Sequence, residues 1–251
     1  MNNRKLNGKV AVVTGGSKGI GAGIAKQFAT EGAAVVVNYA SDKQGADRVV
    51  DEITKRGGKA VSVQANVTNR SEVGRLFAAA EKAFGKIDVL VNNAGVYQFA
   101  PLEQVTEDEF HRQFNTNVLG LILATQEAIK HFRPGGGSVV NVSSVASTAT
   151  PPAAAVYAGA KAAVDAITGV LAKELGPKKI RVNAINPGPV ETEGFQGGGF
   201  SGSDFEKQAI AQTPLGRIGQ PGEIASVAVF LASSDSAWVT GETIRVTGGL
   251  R

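Results

Sequence analysis

From its first residues to its last, the chain alternates short runs rich in valine and isoleucine with longer stretches whose apolar residues recur every three or four positions. Short β-branched runs without polar alternation read as strands buried on both faces. When they alternate with helices, they read as βαβ units around a parallel sheet. Seven such runs stand in order: KVAVVT, AAVVVNY, KAVSVQ, IDVLVN, GSVVNVS, KIRVNAIN and ETIRVT. The expected fold is therefore α/β, a doubly wound sheet of about seven parallel strands with helices on both faces. A length of 251 residues suits one domain over 1-251, with no repeat and no long linker to divide it.

Composition matters mainly for what it excludes. The chain is 43% hydrophobic and 19% charged, ordinary for a globular protein. It has no cysteine, which removes disulfides, thiolate zinc sites and cysteine nucleophiles together and suits a reducing compartment. The apolar run Val10 to Val13 is shorter than the roughly 7 to 15 residues of a signal-peptide core, and VLGLILA falls far below the roughly 20 needed to span a bilayer. A cytoplasmic protein without a membrane partner is expected. The net charge of +4 comes from 26 basic and 22 acidic residues that are scattered, with no basic block interleaved with aromatics, so no nucleic-acid partner is expected. His111 and His131 are too few and too far apart for a metal triad, and no metal site is expected.

Local patterns place the helices. Thr106 and Glu109 have capping-box spacing ahead of a helix running from Glu107 towards Phe132, and Pro152 suits the first turn of the next long helix. In that helix Val156, Ala160, Val164, Ile167, Leu171 and Leu175 predict one buried stripe, with Tyr157 and Lys161 on an adjacent face. The stretch from Gly188 to Pro214, interrupted by three glycines at Gly197 to Gly199, reads as an irregular loop and a candidate substrate lid.

Two patterns carry chemistry. TGGSKGIG, Thr14 to Gly21, follows the first strand and opens a helix, so backbone N–H groups and a positive helix end can meet a diphosphate where side chains would obstruct it. A tight structural turn would also account for these glycines. YAGAK sets a phenol and an ammonium four residues apart, on one helix face. A free phenol, with a pKa of about 10, is a poor acid near neutrality. A lysine held about 4 to 5 Å away would favour phenolate by roughly 3 to 4 kcal/mol at an effective dielectric of about 20, bringing the tyrosine towards pH 7. The bland alternative is a helix aromatic beside a surface Lys161–Asp165 pair worth about 0.3 kcal/mol.

With NNAG at Asn92 to Gly95, NVSS ending at Ser144 and NPGPVET at Asn186 to Thr192, the chain resembles the short-chain dehydrogenase/reductase family over nearly its whole length. The resemblance implies a Rossmann-type fold, a nicotinamide dinucleotide across the carboxyl ends of the strands, and catalysis by Asn117, Ser144, Tyr157 and Lys161. Gly15, Ser17, Lys18, Gly19, Ile20 and Gly21 would hold the diphosphate and adenosine ribose. Asn93, Ala94 and Gly95 would line the adenine side. Asn66 and Val67, where family members carry an Asp-Val pair, would read adenine. Pro187, Gly188, Val190 and Thr192 would clamp the nicotinamide. The backbone carbonyl of Asn117 would hold a water connecting Lys161 to solvent.

Cofactor choice is a question of charge. No carboxylate ends the second strand, where Asn38, Tyr39, Ala40 and Ser41 stand, and Lys18 offers a cation nearby. A charge-assisted bond to a 2′-phosphate is worth roughly 1.5 to 3 kcal/mol, so NADP(H) is expected ahead of NAD(H). Tyr97, Ala146, Phe195 and Phe200, with Ser144 and Tyr157, are the expected substrate wall. Phe195 and Phe200 could equally serve as lid packing or subunit contacts. No arginine is placed to grip a carboxylate, which favours a small neutral ketone, a β-keto ester or a 3-oxoacyl thioester. An acyl-carrier-protein thioester is the alternative substrate, although the loop RPGGGS is glycine where such reductases often carry a basic residue. A glucose-type sugar dehydrogenase is a further possibility, and a non-catalytic dinucleotide sensor a remote one. The resemblance also implies a homotetramer, with Trp238 in an interface or in the core.

Overall fold

The computed structural model describes residues 4–250. All seven expected strands are present: β1 (Val10–Val13), β2 (Ala34–Tyr39), β3 (Lys59–Gln64), β4 (Val89–Asn92), β5 (Gly137–Val142), β6 (Ile180–Pro187) and β7 (Thr243–Val246). They form one sheet in the order β3-β2-β1-β4-β5-β6-β7, and every pairing is parallel. The chain reverses its winding between β1 and β4, so the carboxyl ends of these two strands open the crevice in which α/β sheets bind ligands.

Helices cover both faces, which is why the strands read as continuous apolar runs. Along β1, Ala11 and Val13 enter one core with α1 (Gly19–Thr30) and α10 (Pro221–Ala232); Val10 and Val12 enter the other with α3 (Arg70–Phe84), α5 (Gly120–His131) and α7 (Ala155–Leu175). The period-two alternation repeats at β4, where Val89 and Val91 face the first core and Leu90 the second. Side-chain caps set several starts. Asp42 caps α2 (Lys43–Lys55) by accepting from Gly45 N, and the Asn69 amide oxygen accepts from Ser71 N and Glu72 N at α3.

The long helix expected from Glu107 to Phe132 is divided. α4 (Glu107–Phe114) passes through a π-turn, Asn115–Leu119, into α5. Thr106 does cap α4, accepting from Glu109 N at 3.2 Å, but the Glu109 carboxylate turns to Arg112 and Gln113 instead of returning to the cap. Past β5, a short α6 (Ala146–Ala149) precedes α7, which begins at Ala155. Pro152 therefore lies in the turn before α7 rather than in its first turn.

The buried stripe of α7 also differs from expectation. Ala160, Val164 and Leu175 are buried as expected, but they are joined by Ala158, Lys161, Thr168 and Ala172, while Val156, Ile167 and Leu171 are only partly buried. Lys161 thus lies within the stripe, not beside it. By length and composition α7 is apolar enough to cross a membrane, although its Lys161 and Thr168 are buried against the sheet. The region from Gly188 to Pro214, expected to be irregular, contains α8 (Glu193–Gly197) and α9 (Asp204–Gln212), each started by a hydroxyl cap, Thr192 and Ser203 respectively. Trp238 is 99% exposed, which removes it from the core of this chain.

Candidate active site

The site forms where β1, β4, β5 and β6 end. Ser144 follows β5, and its Oγ accepts from Ala146 N at 3.1 Å. Ala146 itself is buried, so it supports the serine rather than forming the expected substrate wall. One turn of α7 brings Tyr157 over Lys161, with the ammonium 5.7 Å from the tyrosine ring centroid. Lys161 Nζ donates to Val142 O at 2.8 Å, and the Ser143 hydroxyl donates to Lys161 O at 3.1 Å, which pins α7 to the end of β5 at both ends of the lysine.

Electrostatics here depart from the sequence expectation. Burial pushes the Tyr157 phenol above its ordinary value, the Ser144 hydroxyl pulls it down, and Tyr97 pushes it further up. The protein's own lysine does not bring the phenol to neutrality. Burial instead lowers Lys161 to about 8, against an opposing upward pull from Asp165. Desolvation wins because Lys161 is only 5% exposed and its hydrogen-bond partner is a neutral carbonyl. The surface Lys161–Asp165 pair is ruled out as well. Lys161 is buried, and Asp165 accepts from Asn186 Nδ2 at 2.9 Å.

Asn117 lies in the π-turn, where an i+5 hydrogen-bond pattern widens the helix. Its side chain is occupied at both ends, accepting from Val96 N and donating to Val96 O, each at 2.8 Å. Between Asn117, Lys161, Thr14 and Asn92 lies a polar cavity of about 10 Å³, room for one water. Asn92 Oδ1 is buried without a hydrogen-bond partner. Its Nδ2 donates to Thr125 Oγ1 at 3.0 Å and to Asn141 Oδ1 at 2.9 Å, and Asn141 Nδ2 reaches Thr168 Oγ1 at 2.8 Å. This buried ladder ties α5, β4, β5 and α7 together beneath the lysine. Sequence reading missed it, although asparagines ending VLVN and interrupting VVNV were a signal.

The glycine loop is shaped by backbone contact. A Cβ on Gly15 would stand 2.8 Å from Ala94 Cα, and one on Gly21 would collide with the Asn93 amide. Gly15 and Gly19 adopt φ of +60° and +56°, the left-handed region that favours glycine. Asn93 Nδ2 donates to Thr14 O and Gly15 O, both at 2.9 Å, so the NNAG segment braces the loop. No side chain of the preceding residue, Lys18, caps α1. A helix start that its own N-cap side chain leaves uncapped, beside a cradle that admits no Cβ, fits a dinucleotide diphosphate.

Other expected cofactor residues fall differently. Asn38 is 1% exposed and structural: its Oδ1 accepts from Gly15 N at 3.2 Å and its Nδ2 donates to Ala65 O at 2.9 Å. Tyr39 is buried in the core, so only Ala40 and Ser41 of that group reach the surface, with Lys18 exposed nearby in the loop. Asn66 turns its amide oxygen to Thr68, accepting from the backbone N and the hydroxyl at 3.0 Å each, which occupies the atom expected to read adenine. Val67 is buried against Gly120. Pro187 accepts from Val145 N at 2.9 Å, Gly188 packs on Thr247, Val190 is buried with a bridge to Gly219, and Thr192 caps α8.

Aromatic rings crowd Tyr157. Tyr97 and Phe99 lie edge-on to it at centroid distances of 6.0 and 5.8 Å, and Phe200 contacts both at 6.2 and 6.0 Å. Phe195 sits behind Phe200 at 5.6 Å and is buried, which makes it lid packing. Tyr97 also donates its hydroxyl to Gly194 O at 2.8 Å. One arginine is close, since Arg112 donates to Tyr97 O, but it is paired in a fork with Glu109. Among the described residues no cluster of histidine and carboxylate side chains could hold a metal.

A sequence model described as enoyl-(acyl carrier protein) reductase matches residues 15–251. The chain belongs to the short-chain dehydrogenase/reductase family. It is 58% identical over 247 residues to an uncharacterized oxidoreductase of Methylorubrum extorquens, covering 98% of this chain and 99% of that protein. It is 44% identical over 256 residues to the hydroxynaphthalene reductase-like protein Arp2 of Metarhizium robertsii, covering 98% and 96%. Among solved structures, a short-chain dehydrogenase/reductase from Serratia marcescens superposes with a TM-score of 0.92 at 36% identity, covering 98% and 99%. As a short-chain dehydrogenase/reductase the chain is an oxidoreductase, and the family uses nicotinamide dinucleotides.

Proposed function

We propose that the protein reduces a neutral ketone to a secondary alcohol with NADP(H), Tyr157 acting as general acid. The observation that carries this reading is the convergence of Ser144, Tyr157 and Lys161 beside a glycine loop shaped for a diphosphate. When bound, the nicotinamide supplies hydride to the carbonyl carbon. Gly15, Ser17, Gly19, Ile20 and Gly21 would hold the diphosphate side, and Pro187, Gly188 and Thr192 the nicotinamide side.

Ser144 donates a hydrogen bond to the carbonyl oxygen, and Tyr157 delivers its proton there as negative charge develops. A phenol kept protonated by burial suits this direction. Lys161, charged below about pH 8, stabilises the phenolate left behind, and a water in the cavity between Asn117 and Lys161 returns a proton.

NADP(H) preference is supported by the exposed Lys18 and by the lack of a carboxylate among Asn38, Tyr39, Ala40 and Ser41 at the end of β2. NAD(H) would serve less well. The edge-on rings of Tyr97, Phe99 and Phe200, with Arg112 neutralised by Glu109, support a planar, uncharged substrate. The name of the hydroxynaphthalene reductase-like relative points the same way.

A second reading, reduction of a 3-oxoacyl thioester on an acyl carrier protein, is favoured by the description of the matching family model. Of the glycines of RPGGGS, Gly136 and Gly137 are required by packing, since a Cβ would collide with Lys179 O and with Phe132 respectively, so only Gly135, which has open space, still weighs against it. A panel with NADPH separates the readings: an aryl ketone, a β-keto ester, an acetoacetyl thioester and, in reverse with NADP⁺, glucose. Turnover of the thioester above the aryl ketone would exchange the two readings, and no turnover with retained NADPH binding would indicate a sensor.

We further propose a cytoplasmic homotetramer. Exposed Phe110 on α4, Val170 on α7 and Trp238 just before β7 provide apolar surface for subunit contact. Sedimentation analysis tests the assembly.

A further inference from the structure

The start of α1 has a partner that belongs to another part of the chain. Gly19 N donates to Glu193 Oε2 at 2.8 Å, although the residues are 174 positions apart. Glu193 occupies the first turn of α8, and the cap of that helix, Thr192, brings its methyl group within 3.3 Å of where a Cβ on Gly19 would lie. The lid segment is therefore seated on the glycine loop through two consecutive residues. Its next residue, Gly194, accepts from the Tyr97 hydroxyl at 2.8 Å, which joins the same turn to the aromatic wall.

An anion at a helix N-terminus is favoured by the helix dipole and by the unpaired N–H groups of the first turn. Lys18 supplies no side-chain cap, so Gly19 N would otherwise remain open. The carboxylate of Glu193 fills, from the lid, the role that the loop's shape assigns to a phosphate oxygen. Both anions cannot use that donor together.

We propose that Glu193 is a latch: its carboxylate holds α8 on the diphosphate site, so that a dinucleotide must displace it to bind. This inference rests on the dinucleotide reading of the loop. It links cofactor entry to lid position, because displacement of Glu193 frees α8 from the glycine loop. It also makes the latch indifferent to the adenosine 2′ position, since the contested donor serves the diphosphate.

The test is binding of NADPH, NADH and adenosine 2′-phosphate to the full chain and to Glu193→Gln and Glu193→Ala, by fluorescence titration and stopped flow. A carboxylate at a helix N-terminus is worth up to about 1 kcal/mol, or roughly fivefold. NADPH and NADH should each bind about fivefold tighter to both variants, with the gain in the association rate. Adenosine 2′-phosphate lacks the diphosphate and should bind unchanged, which separates the latch from general relief of negative charge. Wild-type binding that both substitutions leave unaltered or weaken would overturn the latch alone, as expected if Glu193 only supports the first turn of α8. Failure of every form to bind either dinucleotide would remove the cofactor reading and the latch with it.

Discussion

Lys161 Nζ donates to the Val142 carbonyl at 2.8 Å while lying 5.7 Å from the ring centroid of Tyr157. The ammonium is thus anchored to the end of a central strand and faces the phenol from a fixed position. Burial works against both groups being charged, raising the tyrosine and lowering the lysine to about 8.

The first prediction concerns pH. Because Lys161 carries charge only below about 8, kcat for ketone reduction should fall as pH rises through that value. The same shift has a stability consequence. The folded-state value lies below the ordinary lysine value of 10.5, so between about 8 and 10.5 the unfolded chain binds more protons and stability gains from rising pH. Urea midpoints at the two ends of this window should show that gain in wild type relative to Lys161→Met. An identical pH response in the two proteins would contradict it.

Removing the phenolic hydroxyl separates chemistry from folding. Tyr157→Phe keeps the ring contacts with Tyr97 and Phe99. It should retain its thermal midpoint and NADPH affinity while kcat falls by at least about a hundredfold, the lower range for loss of a general acid. Near-normal turnover would remove Tyr157 from the mechanism.

Lys18 is predicted to carry cofactor selectivity. Wild type should prefer NADPH over NADH in kcat/KM by at least about tenfold, the equivalent of one charge-assisted bond. In Lys18→Ala the two cofactors should approach parity through loss with NADPH. Equal use of both by wild type would defeat the assignment.

Gly21 tests the cradle. An added methyl group would meet the Asn93 amide and the Gly15 carbonyl, so Gly21→Ala must shift the brace that holds the loop. Overpacking of this kind typically costs about 1 to 3 kcal/mol, to be read as a lower urea midpoint together with weaker NADPH binding. A variant as stable as wild type, with unchanged affinity, would show that the loop relaxes freely.

What could be read directly was what repeats along the chain. The five inner strands appeared because they are buried on both faces and largely apolar, while the edge strands β3 and β7, partly exposed, appeared through their β-branched residues. The Tyr157–Lys161 pair and the glycine loop were legible because local spacing dictates them, one helix turn and a strand-to-helix turn, whereas Ser144 was picked out by the family resemblance. The π-turn at Asn115–Leu119 left no local signal, since its residues suit an ordinary helix equally well.

The remainder depended on partners distant in the chain. Asn38 could be placed at the end of β2 from sequence, but only the packed loop and β3 decided that its amide holds Gly15 and Ala65 in the interior. That Lys161 lies within a buried stripe, and therefore titrates near 8, depended on which face of α7 met the sheet. The Glu193 contact joins positions 174 residues apart. Sequence alone thus indicated the seven strands and the candidate reacting groups, because backbone periodicity and side-chain chemistry are local. Tertiary structure decided their burial, charge state and partners, because desolvation and hydrogen bonding depend on what the rest of the chain places around them.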